Sequence, residues 1–312
     1  MNILYFLESL RLPGLNEFML GITRLGEETA FLVIALIVFW CVDKRKGYYV
    51  MCVGFAGTMA NQFLKLVCRI PRPWVRDPNF TILEQAREAA DGYSFPSGHS
   101  QCAVGTFGAI AAASKNKWVR GLCIALCVLV PLSRMYLGVH TPADVLVGTG
   151  MALVLVWLFR RPIMEGNRGM TVLIPVLTAM AVGLLLYTTC WPFPEDVDQD
   201  NLASGMKSAY TLLGCMLGIA VVYPVEKRYV NFSTDACWWA QILKAVLGLA
   251  VVLLVKEGLR APLDWIFGGR MAARMVRYFL VVLTAGILWP MSFGWFSRLG
   301  RKSNGERVGS LT

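Results

Sequence analysis

Histidine, acidic side chains and paired metal ligands are scarce in this sequence. Its 312 residues include 2 histidines and 20 acidic residues, and the 9 cysteines form no Cys-x-x-Cys pair, so no metal site with familiar ligand spacing is expected. Charged residues of both signs make up 16% of the chain, against 56% hydrophobic residues and a mean hydropathy of +0.54. That balance excludes an ordinary soluble domain and predicts a membrane protein.

Apolar runs close to the ~20 residues that a helix needs to cross hydrocarbon recur along nearly the whole chain. We predict an all-α, polytopic transmembrane helical bundle of about nine spans. They are expected near residues 29–42, 47–67, 97–114, 118–133, 144–160, 170–190, 206–223, 239–255 and 278–296. Residues 1–20 alternate apolar and charged positions around Pro13-Gly14, which indicates a short helical pair at the membrane interface rather than a cleavable signal peptide.

Lysine and arginine, which give the chain a net charge of +10, fall in short clusters between the apolar runs. Such clusters are typical of orientation signals and anionic-lipid contacts, so no nucleic-acid partner is expected. The clusters occupy alternate loops, which predicts that these loops and the C-terminus are cytoplasmic. They lie at residues 44–46, 115–120, 160–168, 227–228 and 298–302. A further basic stretch, residues 256–277, falls on the other side: either it faces anions of the outer leaflet, or the span count is wrong by one there.

Three short polar patterns lie on the predicted extracytoplasmic side. They are Lys65-x6-Arg72-Pro73, Pro96-Ser97-Gly98-His99 and Arg134-x5-His140-x3-Asp144. Lys65, Arg72 and Arg134 supply three cations that would repel one another without an anion, and arginine can hold two phosphate oxygens at once. Ser97 and Gly98 are expected to start a helix, where unpaired backbone N–H groups bind phosphate oxygens. The patterns therefore predict one phosphate-binding site.

The two histidines receive different roles. His140 and Asp144 are four residues apart, so they would share a helical face if the helix begins early enough, and the carboxylate would hold one ring nitrogen as N–H. The other nitrogen of His140 is then the nucleophile, while His99 protonates the leaving oxygen and later activates water. This scheme gives a phosphohistidine intermediate and requires no metal or other cofactor.

The order and spacing of these patterns resemble the signature of the type 2 phosphatidic acid phosphatase (PAP2) superfamily, which includes glucose-6-phosphatase, sphingoid-phosphate phosphatases and undecaprenyl-pyrophosphate phosphatases. The resemblance extends from about Lys65 to Asp144. It implies a helical membrane phosphatase with a histidine nucleophile and a site at the outer or lumenal surface. Four segments are then expected: an interfacial segment 1–28, a PAP2-like catalytic core 29–162, additional transmembrane helices 163–297 and a cytoplasmic tail 298–312.

Membrane embedding favours a lipid substrate, because a site at the edge of the hydrocarbon can bury acyl or isoprenyl CH₂ groups at ~0.8 kcal/mol each. We therefore expect a metal-independent hydrolase of the acid-phosphatase type, acting on a lipid phosphomonoester or pyrophosphate of the phosphatidate, sphingoid-phosphate or isoprenyl-pyrophosphate type. Two alternatives are a glucose-6-phosphatase-like hydrolase of a soluble ester, and a transporter or flippase that binds lipid phosphate without hydrolysing it. The sequence carries no signal for the oligomeric state.

Overall fold

The computed structural model describes residues 1–87, 90, 92–166, 168–195 and 197–299. Within this part of the chain all regular structure is helical and there is no strand, which confirms the predicted all-α class. The predicted cytoplasmic tail, residues 298–312, lies outside the described residues except for its first two positions.

Three short helices precede the first long one. They are α1 (Asn2–Ser9), α2 (Pro13–Thr23) and α3 (Glu28–Ile37), and α3 continues as a π-helical turn to Val42. Proline at the first position of α2 suits a helix start, since the N–H that proline lacks would have no partner there. Asp43 then caps the long helix α4 (Lys44–Cys68), accepting a hydrogen bond from the Lys46 N–H at 2.9 Å.

The next helices build the end of the bundle that carries the polar patterns. A single turn, α5 (Pro73–Arg76), is followed by α6 (Gly98–Ala113), α7 (Lys117–Tyr136) and α8 (Pro142–Met164). Small residues make up much of α6 and allow close helix approach, and α6 packs against α4, α7 and α8. A Cβ at Gly57 of α4 would overlap the side-chain amide of Gln101, so glycine there leaves room for this side chain of α6.

Six further helices complete the described chain. They are α9 (Gly169–Cys190), α10 (Gln199–Val225), α11 (Trp238–Gly258), α12 (Arg260–Ile266), α13 (Ala272–Leu283) and α14 (Phe293–Phe296). α10 packs against α9 and α13 and also contacts α4. The C-terminal helices therefore share one bundle with the polar end formed by α4, α6, α7 and α8.

Seven helices of the described chain are long and apolar enough to cross a membrane, or eight if one bent pair counts as a span. The predicted count of nine is thus approximate. The bent pair consists of residues 13–26 and 28–42, which meet at 60°, so the first predicted span continues from α2. The third predicted span is α6, whose 16 residues extend about 24 Å at 1.5 Å each, short of the ~30 Å of hydrocarbon.

Candidate active site

The three polar patterns meet at one end of the bundle, where α4 and α7 end and α6 and α8 begin. A cavity of about 240 Å³, the catalytic cavity, lies between these helix ends. Five of the eight residues assigned from the sequence line it: Lys65, Arg72, Gly98, His99 and His140. The other three, Ser97, Arg134 and Asp144, are almost completely buried in the surrounding wall.

Arg72 holds the ring of His140 from the cavity side. Its Nη1 donates to the Val139 carbonyl at 2.9 Å and lies 3.0 Å from His140 Nε2, while its Nε donates to the Gly92 carbonyl at 3.0 Å. A guanidinium has no acceptor, so His140 Nε2 accepts this hydrogen bond. The neutral ring therefore carries its proton on Nδ1, and its lone pair lies beside an arginine fork that can also bind phosphate.

The Asp144 carboxylate lies between His140 and the start of α8. Its Oδ2 accepts from the Ser94 hydroxyl at 2.5 Å and from the Thr141 N–H at 2.7 Å, and lies 3.6 Å from His140 Nδ1. The Thr141 hydroxyl accepts in turn from the Asp144 N–H at 3.3 Å, which completes a capping box. The spacing predicts that His140 and Asp144 share a helical face, but α8 begins only at Pro142, so His140 lies outside the helix. The carboxylate reaches back from the first turn instead, and Ser94, which sequence patterns do not single out, fixes it.

Burial lowers the pKa of His140 well below the usual value of 6.5, and the nearby charges of Arg72, Arg134 and Lys65 lower it further. A histidine with a lowered pKa stays neutral as the pH falls through the ordinary histidine range. His140 therefore keeps its lone pair at neutral and mildly acidic pH, as a nucleophile requires.

Imidazole nitrogen NMR tests this assignment directly, because the chain has only 2 histidines. In protein labelled with ¹⁵N-histidine, we expect His140 to stay neutral as the pH falls below 6.5, with the proton on Nδ1 and the lone pair on Nε2. A His99→Gln variant assigns the two sets of signals. A His140 ring that gains its second proton near pH 6.5, or that carries its first one on Nε2, would contradict the geometry.

Ser97 caps the N-terminus of α6. Its hydroxyl accepts from the Ser100 N–H at 3.4 Å and the Ser100 hydroxyl at 2.9 Å. Its own N–H donates to the Asp144 carbonyl at 3.0 Å, so the prediction that this N–H is unpaired at the helix start is wrong. The N–H groups of Gly98 and His99 have no partner among the described residues, and they supply the helix-start donors that phosphate oxygens can use.

Arg134 is the most deeply buried of the three cations, with none of its surface exposed. Its Nη1 donates to the Thr23 hydroxyl at 2.7 Å, whereas its Nε and Nη2 are buried without a partner in the described chain. The Nε2 atom of His99 is also buried without a hydrogen-bond partner in the described chain. Buried polar atoms without partners are costly unless a ligand pairs with them, and a phosphate group offers the acceptors that these donors need.

Two helices add polar side chains that the sequence patterns do not single out. Thr58, Asn61 and Gln62 line the catalytic cavity from α4, and Asn201, Ser204 and Ser208 line it from α10. Polar residues three to four apart in an otherwise apolar helix share a face, and this interval is the signal that identifies them. A Cβ at Gly98 would meet only the Asn61 side chain, at 3.5 Å, so glycine there leaves space in the cavity. Glu28, at the start of α3, also faces the cavity and carries no such signal.

Comparison with known proteins identifies the family of the chain. Residues 45–168 match the PAP2 superfamily, and residues 210–302 match the transmembrane extension of PAP2 superfamily phosphatases. Phosphatidylglycerophosphatase B of Bacillus subtilis is 31% identical over 166 residues, which cover 48% of this chain and 76% of that protein. The chain therefore belongs to the PAP2 superfamily, as its polar patterns predict, and is a multi-pass membrane phosphatase of that superfamily.

Two animal proteins are similar over more of the chain. Glucose-6-phosphatase 3 of Bos taurus is 26% identical over 298 residues, which cover 82% of each protein. Sphingosine-1-phosphate phosphatase 1 of Mus musculus is 24% identical over 265 residues, which cover 79% of this chain and 60% of that protein. The two similarities therefore extend well beyond residues 45–168.

Proposed function

We propose that the protein hydrolyses a phosphomonoester or pyrophosphate of a lipid, through a phosphohistidine intermediate and without a metal. The observation that carries this proposal is the position of His140, whose Nε2 lies 3.0 Å from Arg72 Nη1 in a cation-lined cavity, with Asp144 behind the other ring nitrogen. A transporter of lipid phosphate would need the cations but not an oriented, neutral imidazole among them. The geometry therefore favours an enzyme over a transporter or flippase.

In the first step, His140 Nε2 attacks phosphorus in line with the leaving oxygen. The P–O bond to the lipid breaks as the P–N bond forms, and His99, which the negative charge of the bound substrate keeps protonated among the surrounding cations, passes a proton to the leaving oxygen. The imidazole of His140 becomes cationic as its lone pair is used, and the carboxylate of Asp144, 3.6 Å from Nδ1, stabilises that charge. The product is a phosphohistidine and a free lipid alcohol, or a lipid monophosphate when the substrate is a pyrophosphate.

In the second step, water replaces the leaving group. His99, now neutral, takes a proton from water as its oxygen attacks phosphorus, the P–N bond breaks, and inorganic phosphate leaves. In both steps the charges of Lys65, Arg72 and Arg134 stabilise the equatorial oxygens of the transition state. The same histidine therefore acts as acid and then as base, and the nucleophile returns to its neutral form.

A lipid substrate agrees with the membrane spans around the cavity and with the substrates named for two relatives, a phosphatidylglycerophosphatase and a sphingosine-1-phosphate phosphatase. For a series of alkyl phosphates, we expect kcat/KM to rise roughly fourfold for each CH₂ group that enters the bilayer or protein, because burying one contributes ~0.8 kcal/mol. The measurement is the rate at which purified protein in detergent-free bilayers releases phosphate from each alkyl ester. A comparison of kcat/KM among phosphatidate, sphingoid phosphate and isoprenyl pyrophosphate then identifies the head group.

A second candidate is a soluble, hydroxylated phosphate ester such as a sugar phosphate. The polar side chains from α4 and α10 favour it, since amide and hydroxyl groups that line a cavity can bind the hydroxyl groups of a sugar. The similarity to glucose-6-phosphatase 3 over 82% of the chain also supports it. Equal kcat/KM for short and long alkyl phosphates, with a higher value for glucose 6-phosphate, would replace the lipid proposal by this one.

The catalytic cavity is proposed to face the extracytoplasmic or lumenal side. Support comes from the basic clusters at residues 44–46, 115–120 and 160–168, which adjoin the ends of α4, α6, α7 and α8 that lie away from the cavity. The four predicted segments and the cytoplasmic C-terminus belong to the same proposal. Hydrolysis of a membrane-impermeant ester by intact cells or sealed organelles measures which side the cavity faces.

A further inference from the structure

A second cavity, of about 290 Å³, lies among the C-terminal helices. We call it the basic cavity. Its walls come from α10, α11, α12 and α13 and carry six cations, namely Lys207, Lys256, Arg260, Arg270, Arg274 and Arg277. Two carboxylates also line it, and one of these, Glu257, pairs with Lys256 at 3.1 Å. Positive charge is therefore in clear excess along the walls of this cavity.

Helix α10 separates the basic cavity from the catalytic cavity. Ser204 and Ser208 line the catalytic cavity, whereas Lys207, between them in sequence, lines the basic cavity. Arg274 Nε donates to the Thr211 hydroxyl at 2.7 Å, one turn further along the same helix. The basic stretch 256–277 thus lies at the same end of the bundle as the catalytic cavity, and an error in the span count does not explain its charge.

Arg277 indicates that the basic cavity takes an anion. This side chain is only 9% exposed, and its Nε is buried without a hydrogen-bond partner in the described chain. It lies on one face of α13 with Arg274, and both guanidinium groups approach the ring of Tyr278, at 5.5 and 5.6 Å. Among the described residues neither arginine forms an ion pair with a carboxylate. A buried cation with an unpaired donor is costly unless a ligand brings both charge and acceptor.

A phosphate group meets both requirements, because its oxygens match the planar fork of arginine and its charge offsets several cations. Two large apolar side chains of α12, Trp265 and Ile266, are 85% and 63% exposed next to the cavity residue Asp264. We propose that the basic cavity is a second phosphate-binding site, whose ligand is the phosphate group of an anionic lipid with its acyl chains along the apolar surface of α12. Both histidines of the chain belong to the catalytic cavity, so the basic cavity binds its ligand without hydrolysing it.

Lipid retention measured by native mass spectrometry tests this proposal on the full chain. The probe is phosphatidylglycerol in phosphatidylcholine nanodiscs, chosen because it is a phosphodiester and is not consumed by a phosphomonoesterase. We expect one tightly retained phosphatidylglycerol on the unmodified protein, and roughly ten- to hundredfold weaker retention on Arg277→Gln, which loses a charged hydrogen-bond donor. The matched control, Arg161→Gln, removes an exposed arginine that lines neither cavity and should retain the lipid normally.

Arg277 is buried, so its replacement could weaken lipid retention by disturbing the fold, and a second variant separates this cause from the loss of a ligand contact. Arg260→Gln combined with Arg270→Gln changes two exposed side chains of the same cavity, and we expect it to weaken retention while hydrolysis of a short soluble phosphate ester continues. A parallel arm adds inorganic phosphate at millimolar concentration. Displacement of the retained phosphatidylglycerol by this phosphate would identify free phosphate as a ligand of the same site, whereas phosphate bound in the catalytic cavity would leave the lipid count unchanged. Equal retention of phosphatidylglycerol by the unmodified protein and both cavity variants, or no retained lipid on the unmodified protein, would overturn the proposal.

Discussion

The His140→Ala variant is expected to release phosphate about 10⁴- to 10⁶-fold more slowly than the unmodified protein, because the atom that forms the P–N bond is absent. The cations of the catalytic cavity remain in this variant, so substrate binding should persist while turnover is lost. The measurement is phosphate release under saturating substrate, together with equilibrium binding of an uncleaved phosphonate analogue. A reduced kcat with nearly unchanged binding is the pattern that a nucleophile predicts.

A matched control for His140→Ala is Thr149→Val in α8. Thr149 has a buried hydroxyl with no partner in the described chain and does not line the catalytic cavity, so its near-isosteric replacement should leave kcat within a few-fold of the original. If His140→Ala retained substantial phosphate release while Thr149→Val behaved normally, His140 could not be the nucleophile. Direct attack by water would then replace the phosphohistidine scheme.

The His99→Ala variant should show a defect that depends on the leaving group. With a lipid or alkyl phosphate, whose leaving oxygen needs a proton, we expect a loss of about 10²- to 10⁴-fold, as for removal of a general acid. With para-nitrophenyl phosphate the leaving group departs without a proton, so the first step should proceed and produce a burst of nitrophenol. The second step would remain slow, because the base that activates water is absent. Phosphohistidine should therefore accumulate and be detected as acid-labile, alkali-stable labelled phosphate on the protein.

The comparison of the two leaving groups separates an acid–base role from a structural one. A histidine needed only for folding would lower activity equally with both substrates and would not give a burst. The double variant with His140→Ala provides the control, since it should form no labelled protein with either substrate. Label that persists in the double variant would place the phosphoryl group on another side chain.

The sequence predicts the content of the catalytic cavity well because its main residues lie in short local patterns. Gly98 and His99 adjoin a helix start, and Arg134 and His140 lie on either side of one turn. The contacts that position these residues are less predictable from the sequence. The capping box of α8 places the Asp144 carboxylate 3.6 Å from His140 Nδ1, and this placement depends on where the helix begins rather than on residue spacing. The spacing of the polar residues in α10 marks one face of that helix, but packing between distant segments decides that this face and Glu28 of α3 reach the cavity.

The positions of the helices also follow from the apolar runs, whereas their relation to the membrane does not. The bend between residues 13–26 and 28–42 occurs at Glu27, whose backbone is extended, and at the preceding Gly26 a Cβ would lie 2.9 Å from the His99 carbonyl oxygen. This contact between the chain's first helices and α6 is invisible to hydropathy. Several charges of residues 256–277 line the basic cavity, which four helices form, and a rule that counts charges in loops does not register this placement.

The hydrogen bond between Thr23 and Arg134 bears on the smallest fragment that could work as an enzyme. Residues 45–168 contain all eight assigned site residues, yet the hydroxyl that fixes the buried Arg134 comes from α2. Arg11 likewise donates to the Tyr136 carbonyl at 3.1 Å and lies against the turn at Gly138, where φ is +84°. A truncated chain that begins at residue 29 or 45 would keep all eight assigned residues but lose the contacts that hold Arg134 and the turn before His140. We therefore expect the smallest active fragment to begin before residue 11, well ahead of the residues that match the PAP2 superfamily.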